Sequence, residues 1–293
     1  ERDGLLTARR IGEPAVFRNP NDLAILLTAK HYSKFERIAA SMADIAVSNS
    51  DATRQDFEER YGLAGAWNCE TVHWGVDDEL FRPYDEAIPE HVASRGALRA
   101  RYDVQHGSPL ILAVGRLAAR KGYTTLLRAF SLIRESEPRA KLLIVGRGGM
   151  KSKLMSQASR MGFSDALTIE SSLAFDKLSE VYRASDLTVF PSYYEGQGLI
   201  PLESMSSGIP IVATNDGPIP EMVDENVGAL FEIGKHHSLA EVVIGELSDR
   251  TGMARKGANG RKRVLERFTF KQSCRRFESI YQSAVGARLN DLS

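Results

Sequence analysis

Two glutamates separated by seven residues, Glu195 and Glu203, lie where a predicted buried strand passes into a predicted helix. Gly196 and Gly198 interrupt the turn, so N–H groups near Gly198 and Leu199 are expected at the helix start, where unpaired N–H groups and the helix dipole favour an anion. Carboxylates accept hydrogen bonds from hydroxyls, whereas they repel a phosphate that they touch. The spacing therefore predicts a phosphate flanked by two hydroxyl-bearing groups, such as a sugar and a ribose. The alternatives are a solvent-facing helix residue for Glu203 and a loop charge for Glu195.

A cluster of cations follows the strand predicted at 109–115. Arg116, Arg120 and Lys121 lie in GRLAARKG, residues 115–122, between that strand and a helix. A glycine at the strand exit, positive side chains and a helix N-terminus together suit a phosphate group. The segment lacks the GxxxxGK[ST] spacing of a Walker A loop. Solvated loop cations are the competing interpretation.

Glycines also follow the second strand, as Gly146-Arg147-Gly148-Gly149. Such glycines allow a ligand to approach the backbone closely. The motif taken alone favours a bare turn, and it is not the complete GxGxxG of a dinucleotide site.

The elements that position these motifs alternate along the chain. Near-continuous runs of Val, Ile and Leu indicate strands buried on both faces, and their alternation with helices predicts a doubly wound parallel sheet. In such sheets, ligands bind beyond the carboxyl ends of the strands, which is where all three motifs lie. Strands are predicted at 109–115, 141–148, 166–170, 186–192 and 209–214, and helices at 122–136, 150–161, 175–184 and 199–207.

The front of the chain predicts a further βαβ unit. A helix is predicted at 22–43, before this unit. The unit itself consists of a strand at 43–50, a helix that Ser50 caps and that runs to Tyr61, and a strand at 69–76. An acidic, proline-containing stretch at 77–90 indicates a linker, and the apolar tail 263–285 is predicted to be helical.

Composition narrows the class of protein. The length of 293 residues suggests two domains. The balance of 38 basic and 38 acidic side chains argues against a nucleic-acid partner. Two cysteines form neither a disulfide framework nor a zinc site, and no apolar run reaches membrane-spanning length, so a cytoplasmic location is expected. A basic run near the end of the chain comprises Arg255, Lys256, Arg261, Lys262, Arg263 and Arg267. A solvated helix face is the favoured interpretation of this run, and peripheral contact with anionic lipid is the alternative.

The stretch 195–203 resembles the E-x7-E signature of retaining glycosyltransferases of the GT-B fold, family 4, whose members use nucleotide-diphospho-sugars. The resemblance extends in register over about residues 43–285. It implies an α/β fold of the GT-B type, with two Rossmann-like domains that contain parallel sheets. The other matching segments are VHWGVDDELFRP (72–83) with nGvDxxxFxP, GRLAARKG (115–122) with GRLxxxKG, IVGRG (144–148) with IVGxG, and GIPIVATNDGPIPEMV (208–223) with GxPVVaTxxGgxpEiv.

The resemblance implies roles for the matching residues. Arg116 and Lys121 would hold the donor diphosphate and stabilise the departing nucleotide, Glu195 would bind the donor sugar, and Glu203 would accept hydrogen bonds from the ribose. It also implies metal-independent transfer to a hydroxyl acceptor with retention, and no cofactor. The donor-binding residues that the resemblance implies are Gly115, Gly146, Glu170, Gly196, Gln197, Gly198, Leu199 and Glu203. Of these, Glu170 would lie beside the base.

The sequence departs from the family pattern in places. Gln197 replaces the usual aromatic residue, Arg147 replaces a common acidic one, and serines at 171 and 172 stand where a glycine is usual, so the base and the sugar remain open. Residues 1–76 hold only the last two clear strands of an N-terminal domain, which predicts that this domain is incomplete and that these 293 residues alone are marginally soluble or self-associate. The expected parts are 1–80, the remaining acceptor-side domain; 81–108, the linker and first helix; 109–267, the nucleotide-sugar domain; and 268–293, a helix that packs back on the N-terminal domain.

Two rival functions follow from the same residues. One is a nucleotide-sugar-binding subunit or fragment that is inactive without a complementary N-terminal segment; it would bind nucleotide but neither transfer sugar nor hydrolyse the donor. The other is a nucleotide-sugar 2-epimerase of the same fold, which the E-x7-E pattern does not favour.

Overall fold

The computed structural model of the chain describes residues 16–19, 45–62, 68–171 and 173–291. The helix predicted over 22–43 lies outside these ranges. The residues fall into two units. Unit 1 comprises Glu1–Gly75, Glu195–Gln197 and Phe268–Ser293, and unit 2 comprises Val76–Tyr194 and Gly198–Arg267.

Unit 1 is built on a parallel sheet in the order β1-β2-β3, with Val16–Asn19 as β1, Ile45–Ser48 as β2 and Cys69–Thr71 as β3. The predicted strands correspond to β2 and β3, whereas β1 was not predicted. Helix α1, Asp51–Tyr61, begins as predicted, since Ser50 Oγ accepts a hydrogen bond from the backbone N–H of Thr53 at 3.0 Å.

The core of unit 1 joins its sheet to the last helix of the chain. Ile45, Val47 and Val72 pack with Ile280 and Ala284 of helix α9, Phe270–Asp291. All five side chains are buried, so the apolar face of the tail helix covers this sheet.

Unit 2 contains a six-stranded parallel sheet in the order β6-β5-β4-β7-β8-β9. This is the doubly wound order in which the direction of strand addition reverses between β4 and β7. The five predicted strands are confirmed, and β9 was missed because it is a short edge strand that begins with Gly228. The strands are β4 Leu110–Val114, β5 Lys141–Val145, β6 Leu167–Glu170, β7 Leu187–Phe190, β8 Ile211–Thr214 and β9 Gly228–Phe231.

The helices of unit 2 pack on both faces of this sheet, and the four that were predicted end within one residue of their predicted ends. They are α2 Pro89–Arg101, α3 Tyr123–Ser136, α4 Lys151–Arg160, α5 Phe175–Ala184, α6 Leu199–Ser206, α7 His236–Ser248 and α8 Arg250–Arg267.

The tail that was predicted to be helical over 263–285 is helical apart from one break, since α8 ends at Arg267 and α9 begins at Phe270. A capping box causes the break: Thr269 Oγ1 accepts from the backbone N–H of Gln272 at 3.2 Å, and Gln272 Oε1 accepts from the N–H of Thr269 at 2.9 Å. The Thr-x-x-Gln spacing was legible in the sequence.

Three cations of the basic run are held inside unit 2. Arg261 donates to the carbonyl oxygens of Asp78, Phe81 and Ser206, and so fixes the irregular segment that precedes α2. Arg263 forms a two-oxygen contact with the carboxylate of Asp224, and Lys256 pairs with that of Glu246. Within the described ranges, no helix combines the length and hydropathy needed to cross a membrane.

Candidate active site

The two charged motifs follow neighbouring strands of unit 2. Strands β4 and β7 are adjacent, with Ile111 opposite Leu187, although β5 and β6 separate them in sequence. The cationic segment 115–122 follows β4, and the double-glycine turn follows β7. Because connections leave these two strands toward opposite sides, their carboxyl ends open the crevice where ligands bind in doubly wound sheets.

The cationic segment is tied to the start of the turn. The backbone N–H of Tyr193 donates to the carbonyl of Arg120 at 2.8 Å, and Arg120 donates to the carbonyl of Tyr194 at 3.3 Å. Gly122 has φ of +67°, and a Cβ at this position would lie 1.8 Å from the carbonyl oxygen of Pro191. A glycine is therefore required at 122 for the two loops to approach.

Phe190, which the sequence reasoning missed, lies between two predicted site residues. Lys121 Nζ is 5.5 Å from the centroid of the Phe190 ring, within the range of a cation–π interaction. A Cβ on Gly198 would lie 3.3 Å from Cζ of the same ring. Arg116 is exposed. An aromatic residue at the last position of a strand that leads into a candidate site was the available signal.

The glycines after β4 and β5 have a packing role. A Cβ on Gly146 would lie 1.9 Å from the carbonyl oxygen of Gly115, and one on Gly148 would lie 2.4 Å from that of Leu117. Gly115 itself has φ of +137°. Close packing of the two loops thus accounts for Gly146 and Gly148, whereas their contact with a ligand stays a prediction.

Cations organise the strand end that was expected beside the base. The carboxylate of Glu170 accepts a hydrogen bond from Arg101 at 2.6 Å. Arg147 Nε donates to the carbonyl of Ser171 at 2.6 Å, and Lys151 Nζ donates to Ser171 Oγ at 3.0 Å. The residue that departs from the family pattern, Arg147, therefore holds the chain beside Glu170.

Glu203 is a buried carboxyl group. Its exposed fraction is 7%, so the solvent-facing alternative was wrong. Tyr182, which is fully buried and was not predicted, donates its O–H to Glu203 Oε2 at 2.8 Å. Burial raises the pKa of Glu203 to about 7, and the hydrogen bond from Tyr182 offsets part of that rise. Burial, and then the neighbouring carboxylate, raise the pKa of Tyr182 well above its usual range.

The turn residues Glu195–Gln197 belong to unit 1, so the two predicted glutamates fall in different units. The carbonyl of Gly196 accepts from Ser50 Oγ at 2.6 Å and from Thr53 Oγ1 at 2.8 Å. Glu195 is half-buried, and Gln197 is fully buried.

Within the described ranges, no three His, Cys, Asp or Glu residues are grouped so that they could hold a metal ion. Cys69 and Cys274 are both free and half-buried, and burial raises the pKa of the Cys69 thiol to about 12.

A six-stranded doubly wound sheet, with a cationic loop and an E-x7-E turn after adjacent strands, is the arrangement of one half of a GT-B-type fold. The family of glycosyl transferases group 1 matches residues 94–263 of this sequence. The chain belongs to that family.

Named relatives and solved structures agree with this assignment. The chain is 32% identical, over 75% of its length, to a GDP-mannose-dependent alpha-(1-6)-phosphatidylinositol monomannoside mannosyltransferase of Mycobacterium tuberculosis, of which the match covers 57%. It thus spans little more than half the length of the curated relatives it matches first.

Two solved structures share the fold. Sucrose-phosphate synthase from Thermosynechococcus elongatus has a TM-score of 0.82 at 22% identity, and the match covers 97% of this chain and 71% of that one. Anabaena HepE in complex with UDP-glucose has a TM-score of 0.80 at 21% identity, with 96% and 75% covered.

Proposed function

We propose that this chain binds a nucleotide-diphospho-sugar and acts in the retaining transfer of its sugar to a hydroxyl acceptor, with the nucleoside diphosphate as the leaving group. One observation carries the proposal: the cationic loop after β4 is hydrogen-bonded to Tyr193 and Tyr194, which follow β7, at the point where the sheet reverses direction. Two helices, α3 and α6, begin just after these loops, and helix N-termini of this kind favour phosphate. Family membership supports the same reaction class.

The proposed roles divide by charge. Arg116 and Lys121 bind the diphosphate, and they stabilise the negative charge that develops on the nucleotide as it leaves. Cations directed at a departing diphosphate supply the electrostatic stabilisation that a bound metal ion gives in other enzymes, so we propose a metal-independent reaction.

The carboxylates serve the hydroxyl-bearing parts of the donor. Glu203, when ionised, accepts hydrogen bonds from the ribose hydroxyls, and Glu195 accepts them from the sugar. The backbone from Gly196 to Leu199 binds the sugar and the phosphate.

The names of the similar proteins supply the probes. GDP with GDP-mannose, and UDP with UDP-glucose, give two pairs of ligands. Within each pair, the two ligands differ only in whether the sugar is present. A thermal-shift series with both pairs identifies the better base, because a ligand at 100 times its Kd adds about 2.7 kcal/mol to the free energy of unfolding.

The assignment of the diphosphate is tested by removing each cation separately. Arg116→Ala and Lys121→Ala should each weaken binding of the preferred nucleoside diphosphate about tenfold or more, because each removes a charge-assisted contact. Arg139→Ala is the matched control, because this exposed arginine lies just before the amino end of β5, whereas the candidate site lies at the carboxyl ends of the strands. Diphosphate binding that is unchanged in both test variants would refute the phosphate site.

Turnover separates the enzyme from its rival. Release of nucleoside diphosphate from the preferred donor, with an acceptor or with water, supports transfer. Tight donor binding without transfer and without hydrolysis would instead favour a nucleotide-sugar-binding subunit.

A further inference from the structure

The side chain of Gln197 makes a two-way contact with the backbone of Trp74. Gln197 Oε1 accepts from the N–H of Trp74 at 2.6 Å, and Gln197 Nε2 donates to the carbonyl of Trp74 at 2.9 Å. Gln197 has an exposed fraction of 0%, so its amide depends on protein partners. The pair of bonds reproduces one rung of a β-ladder and fixes one orientation of the amide.

The backbone that Gln197 binds is held from its other side by the tail of unit 1. Ser273 Oγ donates to the carbonyl of His73 at 2.8 Å, and the His73 ring meets Phe268 edge to face at 5.4 Å. A Cβ on Gly75 would lie 2.1 Å from the carbonyl oxygen of Thr269. Residues 73–75 are therefore locked between the start of α9 and the amide of Gln197.

The turn has a second anchor one residue earlier. Ser50 Oγ and Thr53 Oγ1 both contact the carbonyl oxygen of Gly196, at 2.6 and 2.8 Å. Ser50 also caps helix α1, so its position is set by that helix. The carbonyl of Gly196 and the side chain of Gln197 are thus fixed within unit 1 by separate parts of its chain.

We propose that Gln197 is a positioning residue for the donor sugar: through Trp74 it fixes the Glu195–Gln197 turn in the geometry that binds the sugar. This inference rests on the proposed function, because it assumes that the turn contacts the sugar part of the donor. An aliphatic side chain would fill the same volume but would leave the N–H and carbonyl of Trp74 without these bonds. Gln197 acts on the sugar-binding group through the backbone, and not by touching the nucleotide.

The test compares bare nucleotide with nucleotide-sugar by titration calorimetry on the full chain, with the probe pair that the wild type prefers. Gln197→Met should weaken binding of the nucleotide-sugar about tenfold and leave that of the nucleoside diphosphate within about twofold, since two buried hydrogen bonds are lost. Gln157→Met is the matched control, because Gln157 is a buried glutamine of unit 2 whose amide donates to the carbonyl of Thr124.

A second variant tests the same chain of contacts where folding is less at risk. Ser273→Ala removes the bond to His73 and should give a smaller loss, about two- to threefold, again only for the nucleotide-sugar. Ser283→Ala is its control, because Ser283 lies on the same helix and its Oγ donates to the carbonyl of Ser279 within that helix.

Each outcome has a distinct meaning. Selective loss of the sugar contribution in both test variants, with both controls unchanged, supports the positioning role. Wild-type affinity for the nucleotide-sugar in Gln197→Met, or equal loss for both ligands, would overturn it and leave the proposed function standing. A wild-type chain that binds neither probe pair would overturn the proposed function, and the positioning role with it.

Discussion

Replacement of Glu203 by glutamine should make the protein more stable at high pH while leaving its stability near pH 4.5 almost unchanged. The carboxyl group is buried beneath Tyr182, and burial raises its pKa from 4.5 to about 7. In the unfolded chain, the group ionises at its ordinary pKa. Between these two values the folded protein binds a proton that the unfolded chain has lost, so stability falls as pH rises.

The size of the effect follows from the two pKa values. A difference of one pH unit corresponds to about 1.4 kcal/mol, so the interval from 4.5 to about 7 corresponds to roughly 3 kcal/mol. This contribution to the free energy of unfolding is present in full below pH 4.5 and is lost as pH rises through about 7. Glutamine carries no charge at any of these pH values, so Glu203→Gln removes the loss.

Urea denaturation of the full chain, followed by circular dichroism at pH 4.5 and pH 8.5, measures the difference. Stability of Glu203→Gln relative to the wild type should rise by about 3 kcal/mol between the two pH values. The control is Glu241→Gln, because Glu241 is exposed on helix α7 of the same unit. Its replacement should leave the pH dependence as it is in the wild type.

Tyr182→Phe gives an independent check in the opposite direction. It removes the hydrogen bond that lowers the pKa of Glu203, so the pKa should rise further and the loss of stability at pH 8.5 should grow by about 1–2 kcal/mol. If Glu203→Gln shows the same pH dependence as the wild type, Glu203 does not ionise inside the fold near neutral pH and the reasoning fails.

Three further predictions concern binding and the loops. Nucleotide affinity should rise with pH up to about 7, by at most about tenfold per unit, and a titration series should show this dependence flattened in Glu203→Gln. Calorimetry should show that Glu203→Ala weakens the bare nucleotide, whereas Glu195→Ala weakens only the nucleotide-sugar; the reverse pattern would reject these roles. Gly122→Ala should lower the free energy of unfolding in urea by more than about 1 kcal/mol, because its Cβ would meet the carbonyl of Pro191 at φ of +67°, and an unchanged midpoint would count against this.

Five strands and four helices of unit 2 were predictable because each is specified locally. Runs such as Leu110–Val114 are apolar throughout, as expected of a strand that is buried on both faces. Edge strand β9 was not predictable in this way, since Gly228–Phe231 is half-buried and short. The break between α8 and α9 was predictable in principle, because a Thr-x-x-Gln capping box marks it.

The candidate site was predictable in residue type and order but not in environment. Glu203 was identified by spacing, yet its burial beneath Tyr182 depends on a contact across 21 positions of sequence. Phe190 was read only as part of a strand, and its place beside Lys121 comes from the pairing of β4 with β7. Gln197 was expected at the donor, whereas its amide is directed at Trp74. Non-local packing decided each of these cases.

The cost of ionising Glu203 is itself an argument for a ligand at this position. A helix that packs its buried face on a sheet gains stability from an aliphatic side chain, whereas a carboxylate with one tyrosine donor loses about 3 kcal/mol above pH 7. Hydroxyl groups of a bound ribose would add donors to the ionised form, so nucleotide would restore part of this loss and would stabilise the protein more at pH 8.5 than at pH 5. A local conflict of this kind is expected where function, and not packing, selects the residue. The same reasoning separates Glu203 from Gln197, whose buried amide does not ionise and is bonded through both its oxygen and its nitrogen, and which therefore carries no such cost.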